Sequence, residues 1–537
     1  MTLMPSLRRI AVLSMLLLST AAPSRGAEPP KIVSKDGHWA LLVDGKPFLM
    51  LGGQLHNSSG WPSELPQVWE SLAALHANTV EAPVYWEQVE ARPGAFDWTN
   101  VDAIVTGARQ HGLHVVLLWF GTWKNGNMHY VPQWVKTDTK RFPRVIRTDG
   151  EPIDVLTPIA KTSLDADKTA FTALMRHLKS IDDSDHTVLM VQVENEAGNI
   201  GSVRDYSPEA NALFAKAVPS DLLAATQKPG GTWKEAFGND ADELFQLYHQ
   251  ARYVNEIAEA GKREFAIPVY VNVWLSYPPA ELPERRFALP GIQYPSGGPV
   301  QKYVGLWRKL APAIDFIAPD IYSDDAGFVN DVLAAYARPD NALSVPEVAK
   351  GDSFAKYVFS ALGRGAIGFA PFGVDRRGWN ILGSAVPAAH ARNFGLLAPV
   401  ASEIARLNFE GRLKTAVEGT GQPQQELDFG EWQATVSFGF PQYDGRRPPG
   451  TKDVHGAALV AALGPDEFLV TGLDAGVSFH APGRLPGMRM QILSAEEVTY
   501  KDGTWVPSRL WNGDETDRGL QFPQDDVSIV RVKLGKF

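Results

Sequence analysis

Between Phe48 and Phe372 short apolar runs alternate eight times with longer amphipathic ones, and that alternation leaves few folds open. The candidate strands are Phe48–Leu55, Thr79–Ala82, His114–Trp119, Thr187–Val193, Val269–Val273, Phe316–Ile321, Leu343–Val345 and Ala366–Ala370. They are rich in Val, Ile and Leu, and several lack polar alternation, as strands covered on both faces do. The stretches between them carry helical spacing. Val101, Ile104, Val105 and Ala108 fall at i, i+3, i+4 and i+7 ahead of Gly112, and Phe171, Leu174, Met175 and Leu178 repeat the pattern. Phe354, Tyr357, Val358 and Ala361 do so again. Eight such units predict an α/β fold, a (β/α)8 barrel. A doubly wound sheet is the alternative, but Leu51-Gly52-Gly53-Gln54 lacks the spacing of a phosphate-binding loop.

The 537 residues exceed one barrel. After Arg412 helical periodicity fades and period-2 runs take over: Ala434–Phe438, Leu459–Ala462, Phe468–Val470, Val477–His480, Met488–Ile492 and Val527–Leu534. These predict a β-sandwich over 412–537, behind a catalytic barrel over 28–411. At the other end, Arg8 and Arg9 precede the apolar stretch Ile10–Leu18 and the small residues Ser19, Ala21, Ala22 and Ala27. This is the pattern of a secretory signal peptide over 1–27, which predicts an exported chain, periplasmic or secreted. No later run is long and apolar enough to span a membrane. There is no cysteine, so disulfides and thiolate chemistry are excluded. The net charge of −10, with Lys and Arg scattered, gives no footprint for nucleic acid or an anionic membrane. The histidines are dispersed, and His111–His114 marks a helix-to-strand junction rather than a ligand pair, so no metal or other cofactor is implied.

In "LMVQVENEAG" (Leu189–Gly198) an apolar run stops on Glu194-Asn195-Glu196. In a barrel this is the C-terminal end of strand four, the face where such folds place their sites. Glu194 and Glu196 share a side only if the strand runs straight on, so spacing alone does not say which one acts. A second carboxylate, Glu347, ends strand seven in "ALSVPEVAKG". Glycoside hydrolysis needs two carboxyl groups facing across a sugar-sized gap, one to protonate the leaving oxygen and one to meet the anomeric carbon. A single Glu at a strand end is most often structural or solvated; two at strands four and seven, with Asn195 before the first, is a much rarer coincidence. The insertions Thr122–Leu164 and Asn199–Asp240 leave the same face. They carry Trp123, Tyr130, Trp134, Tyr206 and Trp233, which read either as pocket walls or as packing for the loops.

The stretch "VQVENEAG" resembles the "QVENEYG" motif of glycoside hydrolase family 35, the β-galactosidases of clan A. "VYWEQVEARPGAFDW" (Val84–Trp98) resembles that family's segment after strand two. The resemblance covers most of Phe48–Phe372. It implies that Glu196 is the general acid/base, that Glu347 is the nucleophile, and that Asn195 bonds the sugar 2-hydroxyl. The implied activity is retaining exo-hydrolysis of terminal β-D-galactosyl residues by double displacement, on a carbohydrate substrate and without a cofactor. The chain also departs from the family. Ala197 stands in place of the usual Tyr, Pro83 and Tyr85 differ, and "LWFGTWKNGN" (Leu118–Asn127) replaces a Pro-rich stretch. Those segments shape the galactose pocket, so catalytic roles transfer more directly than specificity. Galactosyl side chains of a plant polysaccharide are the expected substrate. Two readings stand beside this one: another clan A β-glycosidase or endo-glycanase, and a non-catalytic glycan-binding protein, against which the presence of both Glu residues counts. Further expectations fall on Tyr322 in "APDIY" as a partner of the nucleophile or the sugar, with Asp320 as an inner-barrel polar group. Trp119, Trp123 and Trp274 are candidates for stacking on sugar faces, and Asn272 and Gln54 for the pocket floor.

Overall fold

The computed structural model describes residues 28–281, 289–375, 386–419, 422–438, 455–481, 489–501, 503–523 and 528–537. The expected leader over 1–27, and Met488 and Val527 at the expected starts of two sandwich strands, lie outside the described residues. Eight parallel strands close into a barrel. They are β1 (Met50–Gln54), β2 (Thr79–Tyr85), β3 (His114–Lys124), β4 (Val188–Asn195), β5 (Val269–Trp274), β6 (Phe316–Ile321), β7 (Val345–Val348) and β8 (Gly368–Pro371). Met50 opposite Gly368 closes the ring.

Alternation along each strand sorts side chains between two apolar clusters. Met50, Val116, Leu118, Phe120, Met190, Tyr270, Phe316 and Ala318 share the lumen. Leu51, Val115, Leu117, Trp119, Val191, Val193 and Val271 pack outward with the helices. A three-stranded antiparallel sheet (Lys31–Lys35, His38–Val43, Lys46–Phe48) precedes β1, and its Leu41 and Val43 join the lumen cluster. Strand β7 begins two residues later than its expected position at Leu343–Val345 and ends three later. Pro346 hides it: proline argues against strand in a sequence, yet here it lies at a pairing irregularity between Val345 and Val348.

The C-terminal region forms two antiparallel sheets, one of six strands and one of four, over a shared core. In the strand Ala457–Gly464, Ala458 and Val460 face that core, whereas Leu459 and Ala461 join the barrel's outer cluster. The six-stranded sheet is thus apolar on both faces, which is why this strand shows no polar alternation. Thr415 Oγ1 donates to the Phe359 carbonyl at 2.8 Å, tying the sheet to the helix Tyr357–Leu362.

Candidate active site

Two left-handed residues decide which carboxylate of Glu194-Asn195-Glu196 enters the mouth of the barrel. Glu194 has φ +62° and Glu196 has φ +47°. Such conformations are costly for residues with a Cβ and persist only where the surroundings over-determine them. They break the strand alternation, so the two carboxylates part company.

Glu194 turns into the wall between barrel and helix. Its Oε2 accepts from the Trp123 amide at 2.7 Å. Beside it Asp167, from the helix Lys161–Asp182, accepts from Trp119 Nε1 at 2.9 Å, the Thr122 amide at 3.0 Å and Thr122 Oγ1 at 2.6 Å. Burial first, and then Asp167, push Glu194 well above the usual carboxylate range. Gly121 makes the approach possible: a Cβ there would meet Asp167 and Glu194 oxygens at 2.9 Å and Trp119 Nε1 closer still. Gly121→Ala is therefore expected to destabilise the protein by about 1–3 kcal/mol, the range for overpacked cores. Urea unfolding of both proteins measures this.

Glu196 goes the other way. Its amide donates to Asn272 Oδ1 at 2.9 Å, and Asn272 Nδ2 donates to Asp320 Oδ2 at 2.7 Å. Asp320 and Glu347 are register partners on β6 and β7. One carboxylate oxygen from each of Glu196, Asp320 and Glu347 lies within 4.8 Å of the other two, and all three residues are buried. The Tyr322 hydroxyl donates to Glu347 Oε1 at 2.5 Å and so fixes that carboxylate's orientation. Lys124, buried at the end of β3, donates its ammonium to Asn195 Oδ1 at 2.9 Å.

Three carboxyl groups this close, out of water, cannot all be charged. Burial is the leading cause, followed by the charge of Glu347, and together they push Glu196 up to about 7. The same causes hold Asp320 well above the usual range. Below them Glu81 on β2 is raised by burial and by Glu347, with Gln54 bonding to it. Lys124 opposes the rise at Glu196. Removing that cation raises the Glu196 pKa further. If protonated Glu196 is the active form, the alkaline limb of kcat/KM lies near 7 in the wild type and moves to higher pH in Lys124→Met. A pH–rate profile checks the sign, and a limb that stays put or moves down contradicts it.

The other expected site residues are placed as follows. Asn272 and Gln54 lie in the lumen, Gln54 Nε2 reaching the Pro346 carbonyl at 3.4 Å. Asn272 positions both Glu196 and Asp320 rather than lining an open floor. Trp274, at the end of β5 in register with Asp320, is half-buried. Trp119 and Trp123 are corrected. Both rings are completely buried, Trp119 between Trp86 and Phe171 and Trp123 against Tyr253, so neither has a face for a sugar. Trp119 points outward because Leu118 and Phe120 point in. Of the loop aromatics, Trp233 is also closed in, packed on Phe245. Sequence reasoning missed Lys124, Glu81 and Tyr277, the last raised by burial and the charge of Glu196. The signal for Glu81 was a lone carboxylate inside an apolar strand run.

A (β/α)8 barrel with carboxyl groups converging at the C-terminal mouth meets the geometric requirement of glycoside hydrolysis for two facing carboxyl groups. Residues 40–266 match the model of "Glycosyl hydrolases family 35". The match includes Asn195 and Glu196 and stops short of Glu347. Residues 390–523 match a "Domain of unknown function (DUF5597)". Among characterised proteins, the chain is similar to a β-galactosidase of Xanthomonas manihotis, 28% identical over 38% of this chain and 33% of that protein. It is also similar to β-galactosidase 8 of Arabidopsis thaliana, 25% identical over 38% of this chain and 23% of that one. The chain thus spans a third or less of the length of these relatives. A solved β-galactosidase from the psychrophilic Marinomonas ef1 aligns at 13% identity, covering 67% of this chain and 62% of its own, with a TM-score of 0.49.

Proposed function

We propose that this protein is a retaining exo-β-galactosidase, acting on terminal β-D-galactosyl residues of glycans, with plant polysaccharide side chains as the natural substrate. Glu196 is the general acid/base and Glu347 the nucleophile. The observation that carries the proposal is the short approach of these two carboxylates, an oxygen of one lying within 4.8 Å of an oxygen of the other. Retaining pairs stand about 5–5.5 Å apart, whereas inverting pairs leave about 6.5–9.5 Å for a water.

The protonation pattern fits the two roles. Glu196, pushed up by burial and by Glu347, keeps a proton for the departing oxygen. Attack by Glu347 on the anomeric carbon consumes its charge and forms a glycosyl ester. The pKa of Glu196 then falls, and it accepts a proton from the incoming water. Tyr322 holds the nucleophile, while Asn195, fixed by Lys124, is set to bond the 2-hydroxyl. Export through the N-terminal leader, with the barrel as catalytic unit and the β-sandwich as its brace, belongs to the same proposal. A panel of nitrophenyl glycosides tests it. Turnover confined to the β-galactoside supports the reading. Preference for another β-glycoside, or none, rejects it.

A further inference from the structure

The chain leaving β1, the turn after β2 and the extension after β3 enclose a second cavity beside the carboxylate cluster, of about 690 Å³. Asn57, Ser58, Trp61, Gln88, Tyr130 and Gln133 line it. Its wall is a column of three nearly parallel rings. Trp61 lies on Tyr85 with centroids 6.1 Å apart and planes at 20°, and Tyr85 lies on Tyr130 at 5.7 Å and 17°. The inner ring is locked: Tyr85 is 4% exposed, and its hydroxyl accepts from the Gly60 amide at 3.1 Å, the residue next to Trp61. The outer ring is open. Trp61 is 43% exposed, the only exposed tryptophan among the described residues.

Leaving an indole in water forgoes its burial energy, and here the fold also fixes its orientation. We infer that this cavity is a second glycan subsite, in which Trp61 stacks on the apolar face of a backbone sugar of the substrate whose galactosyl tip sits at Glu196 and Glu347. The inference rests on the galactosidase reading for its second half only. Amide and hydroxyl side chains around a flat ring suit neutral polyhydroxyl ligands. The cavity also holds the carboxylates of Glu87 and Asp97, which disfavours an anionic occupant. A relay of side chains links it to the cluster, with the rings of Tyr85 and Phe120 first and then Lys124 and Asn195. Tyr85 abuts Phe120 with centroids 6.2 Å apart, the Lys124 ammonium lies 4.9 Å over Phe120, and Lys124 holds Asn195 beside Glu196. A β-1,4-linked backbone, whose pyranose rings present flat apolar faces, is the ligand class that fits.

Trp61→Ala and Trp61→Phe test this in the full-length chain. On nitrophenyl β-galactoside, which does not reach the cavity, kcat/KM stays within about twofold. On a galactosylated β-1,4-linked tetrasaccharide, Trp61→Ala loses about tenfold, mostly in KM, and Trp61→Phe recovers part of it. Equal losses on both substrates, or none on either, overturn the inference. Calorimetry with galactose-free cellotetraose, xylotetraose and mannotetraose separates it from the galactosidase reading. Binding that disappears in Trp61→Ala supports the subsite even if no galactoside is cleaved. Failure of the wild type to bind any of the three overturns it.

Discussion

Glu347→Ala is expected to lower turnover of nitrophenyl β-galactoside by at least about 10⁴-fold, the scale on which enzymes lose a nucleophile. Circular dichroism should stay native, because Glu347 Oε2 has no partner in the fold and Oε1 is bonded only by Tyr322. Azide should then restore activity. With the carboxylate removed, the anion attacks the anomeric carbon from the vacated face, while Glu196 still protonates the leaving group. The product is α-galactosyl azide, of inverted configuration. Residual activity above about 1% of wild type, with no response to azide, removes Glu347 from the mechanism.

The second large effect falls on Glu196, and its size should depend on the leaving group. Loss of a general acid costs about 10²–10⁴-fold where the departing oxygen is a poor leaving group. Glu196→Ala should therefore show that loss in kcat/KM for an alkyl or sugar aglycone. A dinitrophenyl galactoside departs without help, so its kcat/KM falls far less, and the second step, attack by water without a base, limits kcat. Azide bypasses that step by attacking the glycosyl ester, giving the β-azide with retained configuration. The two variants are told apart by the hand of the azide they form. Exchange of those outcomes would exchange the assigned roles.

Much of the barrel was legible because strands buried on both faces write themselves as unbroken Val, Ile and Leu runs. The ends were harder. Strand β3 runs on to Lys124, five residues past its expected end, because Gly121 lets the chain pass the buried Asp167 and Glu194 carboxyls. The choice between Glu194 and Glu196 was closed to pattern reading, since it turns on two left-handed residues that no spacing rule anticipates. The misplaced Trp119 is different. The alternation that puts Leu118 and Phe120 in the lumen turns Trp119 outward, and that signal lies in the sequence. Lys124 lies beyond the expected end of its strand, where no spacing rule assigns it to the barrel mouth. Trp61 lies in the loop before the helix Leu65–Leu75, where nothing in the sequence separates an exposed aromatic from a packed one.

The account stands on one approach: Glu196 and Glu347, with an oxygen of one within 4.8 Å of an oxygen of the other, serving the same anomeric carbon. A 2-deoxy-2-fluoro-β-galactosyl fluoride measures this most directly, because the fluorine slows breakdown of the covalent intermediate. Peptide mapping of the trapped protein is predicted to find one fluorogalactosyl group, esterified to Glu347, with the protein reactivated as the ester hydrolyses. A label on Glu194, Asp320 or Glu196, or turnover with inversion and no label at all, would contradict it.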